Sequence, residues 1–142
     1  MAVVAARFNA YVVDRLLDGA LKALKKAGVK DADLTLVRVP GAFEIPAAAR
    51  RLAETCDAVV ALGCVLKGET PHFDFVAGTC SEGLARLAAE GQVGVGFGLL
   101  TCHTLDQAMA RSQPRGDNRG AHAALAALEM ADLLARLKKR KS

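Results

Sequence analysis

The sequence contains no tryptophan and a single tyrosine, so the aromatic platforms on which single-stranded nucleic acid stacks are scarce. No apolar run approaches the roughly 20 residues that cross a bilayer. The opening MAVVAARFN is interrupted by Arg7 before a signal-peptide core can form. No membrane association and a cytoplasmic location are expected. The four cysteines, Cys56, Cys64, Cys80 and Cys102, form no CxxC pair and have no His at metal-ligand spacing. They read as reduced, partly buried thiols, and no metal site is expected. Excess charge is confined to one place: RLKKRKS at the C-terminus accounts for the whole net charge of +4. Basic residues there complement the dipole of a helix end, so a solvated tail is expected and no nucleic-acid partner.

What the chain does have is a core. Hydrophobic residues make up 52% of its 142 positions, much of that Ala, Val and Leu, which excludes a disordered chain and suits one domain spanning 1–142. Short β-like runs lie at 2–6 (AVVAA), 34–39 (LTLVRV), 57–65 (DAVVALGCV) and 93–100 (VGVGFGLL). Helical patterns separate them. Val13, Leu16, Leu17, Ala20, Leu21 and Leu24 form one stripe that stops at Gly28. A second helix runs from Ile45 to about Thr55 with Pro46 in its first turn, and a third covers about 71–90. Thr104 and Gln107 fit a capping box for a short helix reaching Arg111. The loop SQPRGDN then leads into a long last helix, with Ala124, Ala127, Leu128, Ala131 and Leu134 inward and Glu129, Asp132 and Arg136 outward.

Strands alternating with helices imply an α/β fold: a three-layer αβα sandwich around a small parallel four-stranded sheet, of the flavodoxin-like kind. Ligands in such sheets bind beyond the carboxyl ends of the strands. The segments to inspect are therefore RFN (7–9), PGAFE (40–44), KGETPH (67–72) and LTCHT (100–104). Phe8 with Asn9, and Phe43 with Glu44, each pair a ring with a hydrogen-bonding neighbour, as a flat heterocycle bearing a polyhydroxy chain would require. Any one such ring is more often core than ligand platform, and two at equivalent strand ends shift that balance only modestly. In KGETPH, Thr70 can cap a helix and Pro71 can fill its first position. His72 then sits in the first turn, where the helix dipole disfavours the imidazolium and leaves an imidazole able to accept and return protons. Gly68, Glu69 and Thr70 offer N–H groups and a hydroxyl suited to an anion. Ordinary capping with His72 turned to water is the alternative, and helix-start chemistry does not decide between them.

Three further features have simpler readings. GQVGVGFG (91–98) carries its glycines within a strand rather than in a turn opening a helix, so it is no dinucleotide fingerprint. The alternation of Gly94, Gly96 and Gly98 instead bares one strand face for a close helix. His103 has no identifiable partner in the sequence. Arg111, Arg115 and Arg119 crowd one loop, either solvated or as a phosphate clamp.

Taken together, ARFN, VPGAFEIP, ALGCVLKGETPHFDFV and GLLTCHTLDQAMAR…NRG strongly resemble the lumazine synthase family across nearly the whole chain. The resemblance implies a transferase that joins 5-amino-6-(D-ribitylamino)uracil to 3,4-dihydroxy-2-butanone 4-phosphate. The product would be 6,7-dimethyl-8-ribityllumazine, with phosphate and water released, the penultimate step of riboflavin biosynthesis. It implies that Phe8 stacks on the pyrimidine, with Val65, Leu66 and a neighbouring subunit's Phe97 around it. Asn9, Ala42 and Glu44 would position the ring and ribityl chain, with Phe43 and Cys64 in the same site. Glu69 and Thr70 would hold the phosphate with a neighbour's Arg111, and His72 would move protons. No metal or organic cofactor is implied, and the partners are the two small substrates and further copies of the chain. Pentamers are implied, and some family members assemble into decamers or sixty-subunit shells.

Two positions depart from the family pattern. Arg119 stands where the family usually has Lys in its NKG motif, and is grouped with His72 as catalytic. His122 stands where an acidic group usually supports the catalytic His. These changes motivate a second reading, a flavin- or lumazine-binding or assembly protein with weakened catalysis. The chain also begins almost at its first strand, which favours a pentamer over a shell. A riboflavin synthase of the archaeal type uses no phosphorylated substrate, and the GET loop followed by Arg111 argues against it. Scattered cysteines argue against a thiol redox protein.

Overall fold

A computed structural model describes residues 1–140, and all four β-like runs in it are strands paired in parallel. They are β1 (Ala2–Ala6), β2 (Thr35–Val39), β3 (Ala58–Leu66) and β4 (Gly94–Cys102), in the spatial order β2-β1-β3-β4. β1 matches its expected run, the starts of β2, β3 and β4 move in by one residue, and β3 and β4 continue to Leu66 and Cys102. The helices are α1 (Ala10–Lys26), α2 (Ile45–Leu52), α3 (His72–Ala89), α4 (Leu105–Ala110) and α5 (Arg119–Arg140). Short 3₁₀ turns occupy Asp31–Asp33 and Ala42–Glu44.

Alternation along the strands divides the core between two faces. Val3, Ala5, Val60, Leu62 and Cys64 point towards α1 and α5, with Leu16, Ala20 and Ala124 against them. Val4, Ala6, Val59, Ala61 and Val65 point the other way, towards Ile45 and Ala49 of α2 and Cys80 and Leu84 of α3. Layers of helix, sheet and helix follow from that period of two. β1 is buried along its whole length, which is why it reads as a continuous apolar run.

The glycine alternation in β4 acts as expected. A Cβ on Gly96 would lie 2.1 Å from the Ala123 carbonyl oxygen, and one on Gly94 2.3 Å from that of Ala127. α5 therefore lies with its backbone directly on the strand, and its small residues, Ala123, Ala124 and Ala127, are the buried ones.

α1 ends where Gly28 takes φ +95°, a conformation that glycine enters without strain. α2 stops at Leu52 rather than at Thr55. The N–H groups of Thr55 and Cys56 both donate to the Leu52 carbonyl, at 3.1 and 3.0 Å. That turn swings the chain into β3 two residues later. The Thr104–Gln107 capping box is present: the Gln107 N–H donates to Thr104 Oγ1 at 3.2 Å, and Gln107 Oε1 accepts from Thr104 N–H. Of the basic terminal run, Lys138, Lys139 and Arg140 form the last turn of α5. Lys141 and Ser142 lie outside the described residues. Among those described, no helix is long and apolar enough to cross a membrane.

Candidate active site

Three strand exits meet at one end of the sheet. Leaving β1, the N–H of Arg7 donates to Val39 O at 2.7 Å and that of Phe8 to Pro40 O at 3.0 Å. Asn9 then takes φ 60° and ψ 43°. Its carbonyl accepts from Val12 and Val13 at 3.0 and 3.1 Å, which opens α1. Its side-chain Nδ2 donates to the Cys64 carbonyl at 2.7 Å. Chain reversal this tight leaves the Phe8 ring outside, 71% exposed. Leaving β2, the 3₁₀ turn buries Ala42 and holds Glu44 Oε2 against the Gly41 N–H at 3.1 Å. The Phe43 ring is 60% exposed.

Leaving β3, the Lys67 N–H donates to Cys102 O at 2.9 Å, and the exposed loop GETP leads into α3. Here the expected cap shifts by one position. Pro71 rather than Thr70 is the cap residue, and helical geometry begins at His72. Proline has no N–H to present to a capping hydroxyl, so the nearest donor to Thr70 Oγ1 is His72 N–H, at 3.4 Å.

Phe8, Ala42, Phe43, Glu44 and His72 line one cavity of about 580 Å³. Residues up to 64 positions apart in sequence (72 − 8) are thus gathered by the parallel topology. Phe75, Val76 and Thr79 line it too, and none of them was among the candidates. Their signal was present: with His72 they fall at i, i+3, i+4 and i+7, one helical face. Phe75 is 71% exposed on that face, a cue that only the structure supplies. Glu69 and Thr70 are exposed on the loop above and line no described cavity. Val65 is buried towards α2 and α3, and Leu66 packs partly on the opposite core.

A separate groove of about 450 Å³ holds Phe97, Arg119 and His122. It shares no residue with the first cavity. Arg111 and Arg119 are joined through the backbone, Arg119 N–H to Arg111 O at 2.8 Å. The guanidinium of Arg111 donates to Gln107 O at 2.9 Å, and Arg119 Nε donates to Asp117 at 3.1 Å. Asn118, buried, pins the intervening loop by donating to Arg15 O and Gln113 O. Arg115 stands exposed at its tip. His103 has a partner after all, the Phe73 ring at 6.4 Å between centroids. A larger cavity of about 1080 Å³ lies at the opposite end of the sheet, against Ala58, Leu134 and Lys138, away from every candidate residue. Among the described residues no three His, Cys, Asp or Glu side chains gather as a metal site requires.

Cys64 presents its carbonyl to Asn9, while its thiol points into the core beneath α1 and α5. Burial pushes that thiol up to about 12, with Cys102 beside it adding to the shift, and burial alone pushes Cys80 up to about 11. Both stay protonated in the fold after the unfolded chain begins losing these protons near 9. The unfolded state then binds fewer protons, so stability held below pH 9 is lost as pH climbs towards 11 and 12. The urea midpoint should be level from pH 7 to about 8.5 and fall above 9, while at pH 8 a disulfide thiol reagent should label Cys64 and Cys80 only after unfolding. Rapid native-state labelling of either would contradict the burial.

A sequence model of the 6,7-dimethyl-8-ribityllumazine synthase family matches residues 1–135 of the chain.

Proposed function

The chain belongs to the 6,7-dimethyl-8-ribityllumazine synthase family, and from that premise we propose which of its residues carry the family's reaction. The activity is a transferase reaction of riboflavin biosynthesis. 5-Amino-6-(D-ribitylamino)uracil condenses with 3,4-dihydroxy-2-butanone 4-phosphate to give 6,7-dimethyl-8-ribityllumazine, phosphate and water. The substrate amines are the nucleophiles, so the protein's task is to hold two molecules together and move protons between them.

In this reading the pyrimidine stacks on Phe8, and Asn9, Ala42, Phe43 and Glu44 surround the ring and its ribityl chain with the end of β3. Glu69 and Thr70, at the start of α3, hold the phosphate with Arg111 of a neighbouring copy. His72 shuttles protons during imine formation, phosphate loss and ring closure. The observation that carries the assignment is the shared cavity: Phe8, Ala42 to Glu44, and His72 converge on it from three strand exits. A polyhydroxy chain suits the carboxylate of Glu44, whose Oε2 is already oriented by Gly41.

The working unit is an assembly of single-domain subunits, a pentamer with sites between adjacent copies. Support comes from exposed rings at Phe8, Phe43, Phe75 and Phe97, the last 49% accessible, since lone chains seldom leave so many bare. Four free cysteines suit a reducing cytoplasm.

Mixing the purified protein with both substrates should produce the absorbance of the lumazine and release one phosphate per product. A second reading, binding with weakened catalysis, draws on Arg119, whose Nε is engaged by Asp117. Saturable lumazine binding without turnover would select that reading and overturn the first.

A further inference from the structure

We propose that Asn9 is a positioning residue: its side-chain amide sets the spacing between the stacking surface at Phe8 and the loop that ends in His72. The proposal rests on the site assignment above, which already places Asn9 at the ring, and gives its side chain a second task carried out through the residues it ties together.

β1 and β3 are neighbours whose connections leave on opposite faces of the sheet, to α1 and to α3. This is the switch point at which such sheets open a crevice. The β1–β3 ladder closes with Ala5 beside Leu62. Beyond it the β1 exit turns away from β3, since Arg7 and Phe8 give their N–H groups to Val39 and Pro40 on the β2 side. The two exits that carry Phe8 and His72 therefore begin to part. The Asn9 amide rejoins them, through its 2.7 Å bond to Cys64 O, 55 residues away in sequence.

The choice of residue supports this role. Asn9 is the non-glycine residue with positive φ among those described, and glycine would take that conformation with less strain. Glycine has no amide to reach β3. Asparagine tolerates the left-handed backbone and supplies a donor as well. Its carbonyl is committed to starting α1, so both ends of the residue are anchored and the bond to Cys64 acts on a fixed base. Joining two substrates depends on their relative placement, so a loosened spacing acts on the joining step rather than on binding either one.

The test compares Asn9→Gly, Asn9→Asp and Phe8→Ala in steady-state assays with each substrate varied, alongside thermal melting. Glycine keeps the backbone conformation and loses the amide. Aspartate keeps the shape and places an acceptor oxygen against the Cys64 carbonyl. Both Asn9 variants should lose about tenfold or more in kcat, over and above any rise in KM for the ribitylaminouracil, with KM for the phosphorylated substrate within about twofold and the protein folded at assay temperature. A rise in KM for the ribitylaminouracil at unchanged kcat would leave Asn9 a substrate contact alone and overturn the proposal. Unchanged kcat in both variants, or a loss that follows only the folded fraction, would overturn it equally. Phe8→Ala separates the underlying reading: if it alters neither kcat nor KM, the site assignment falls and this proposal with it.

Discussion

Replacing His72 by alanine is expected to lower kcat by about 10²–10⁴-fold, the span that a positioned proton-transfer group contributes. Fold and assembly should be retained, because the side chain is exposed and the bond from His72 to Thr70 Oγ1 is donated by its backbone N–H. The chemistry sets the size of the effect. Forming an imine needs a proton delivered to a departing hydroxyl, losing phosphate needs one removed from carbon, and ring closure needs both. An imidazole beside the Phe8 ring in the same cavity can serve each step in turn without leaving its place. KM for the ribitylaminouracil should change little, since the proposed site assigns stacking and ribityl contacts to other residues. Free imidazole, able to enter an open cavity, should restore part of the rate. Turnover above half the parent value, with matching phosphate release, would remove His72 from the mechanism.

Why His72 needed more than its own local sequence is a matter of physics. Thr-Pro before a helix looks the same whether it serves capping or catalysis, because both use the same unpaired N–H groups. Parallel topology was legible, since bounded strand runs alternate with helical stripes along the chain, and it pointed to the strand exits. The packing of α5 on β4 was legible too, as Gly94 and Gly96 bare a strand face on which a helix backbone can lie where any side chain would clash. Phe75, Val76 and Thr79 were not, because an amphipathic stripe on α3 reads as core until burial is known. The Asn9–Cys64 bond was equally hidden. Nothing in ARFN says which way an asparagine amide will turn once β1 and β3 lie side by side.

Mixing two inactive variants should restore activity. His72→Ala and Arg111→Ala subunits, unfolded and reassembled together in equal amounts, are expected to regain about a quarter of the parent turnover if sites lie between copies in a closed ring, since random neighbours supply an intact His72 and an intact Arg111 at that frequency. Geometry within one chain argues for this. Phe97 pairs with Ala61 in mid-strand, and Ala61 lies beside Val4. Phe97 therefore sits level with Val4, four residues short of Phe8 (8 − 4) and two strands across. At strand spacings that is about 13 Å along the sheet and about 10 Å across it, too far for both rings to flank one pyrimidine. Phe97, Arg119 and His122 share their own groove, so a second copy is the simplest way to bring that surface against the cavity of Phe8 and His72. A site complete within one subunit predicts the opposite: the mixture would show only the average of the two residual rates. The same mixture separates the two surfaces further. Pairing His72→Ala with Phe8→Ala, both on the one cavity, should leave complementation at zero, because no subunit in that mixture carries both groups.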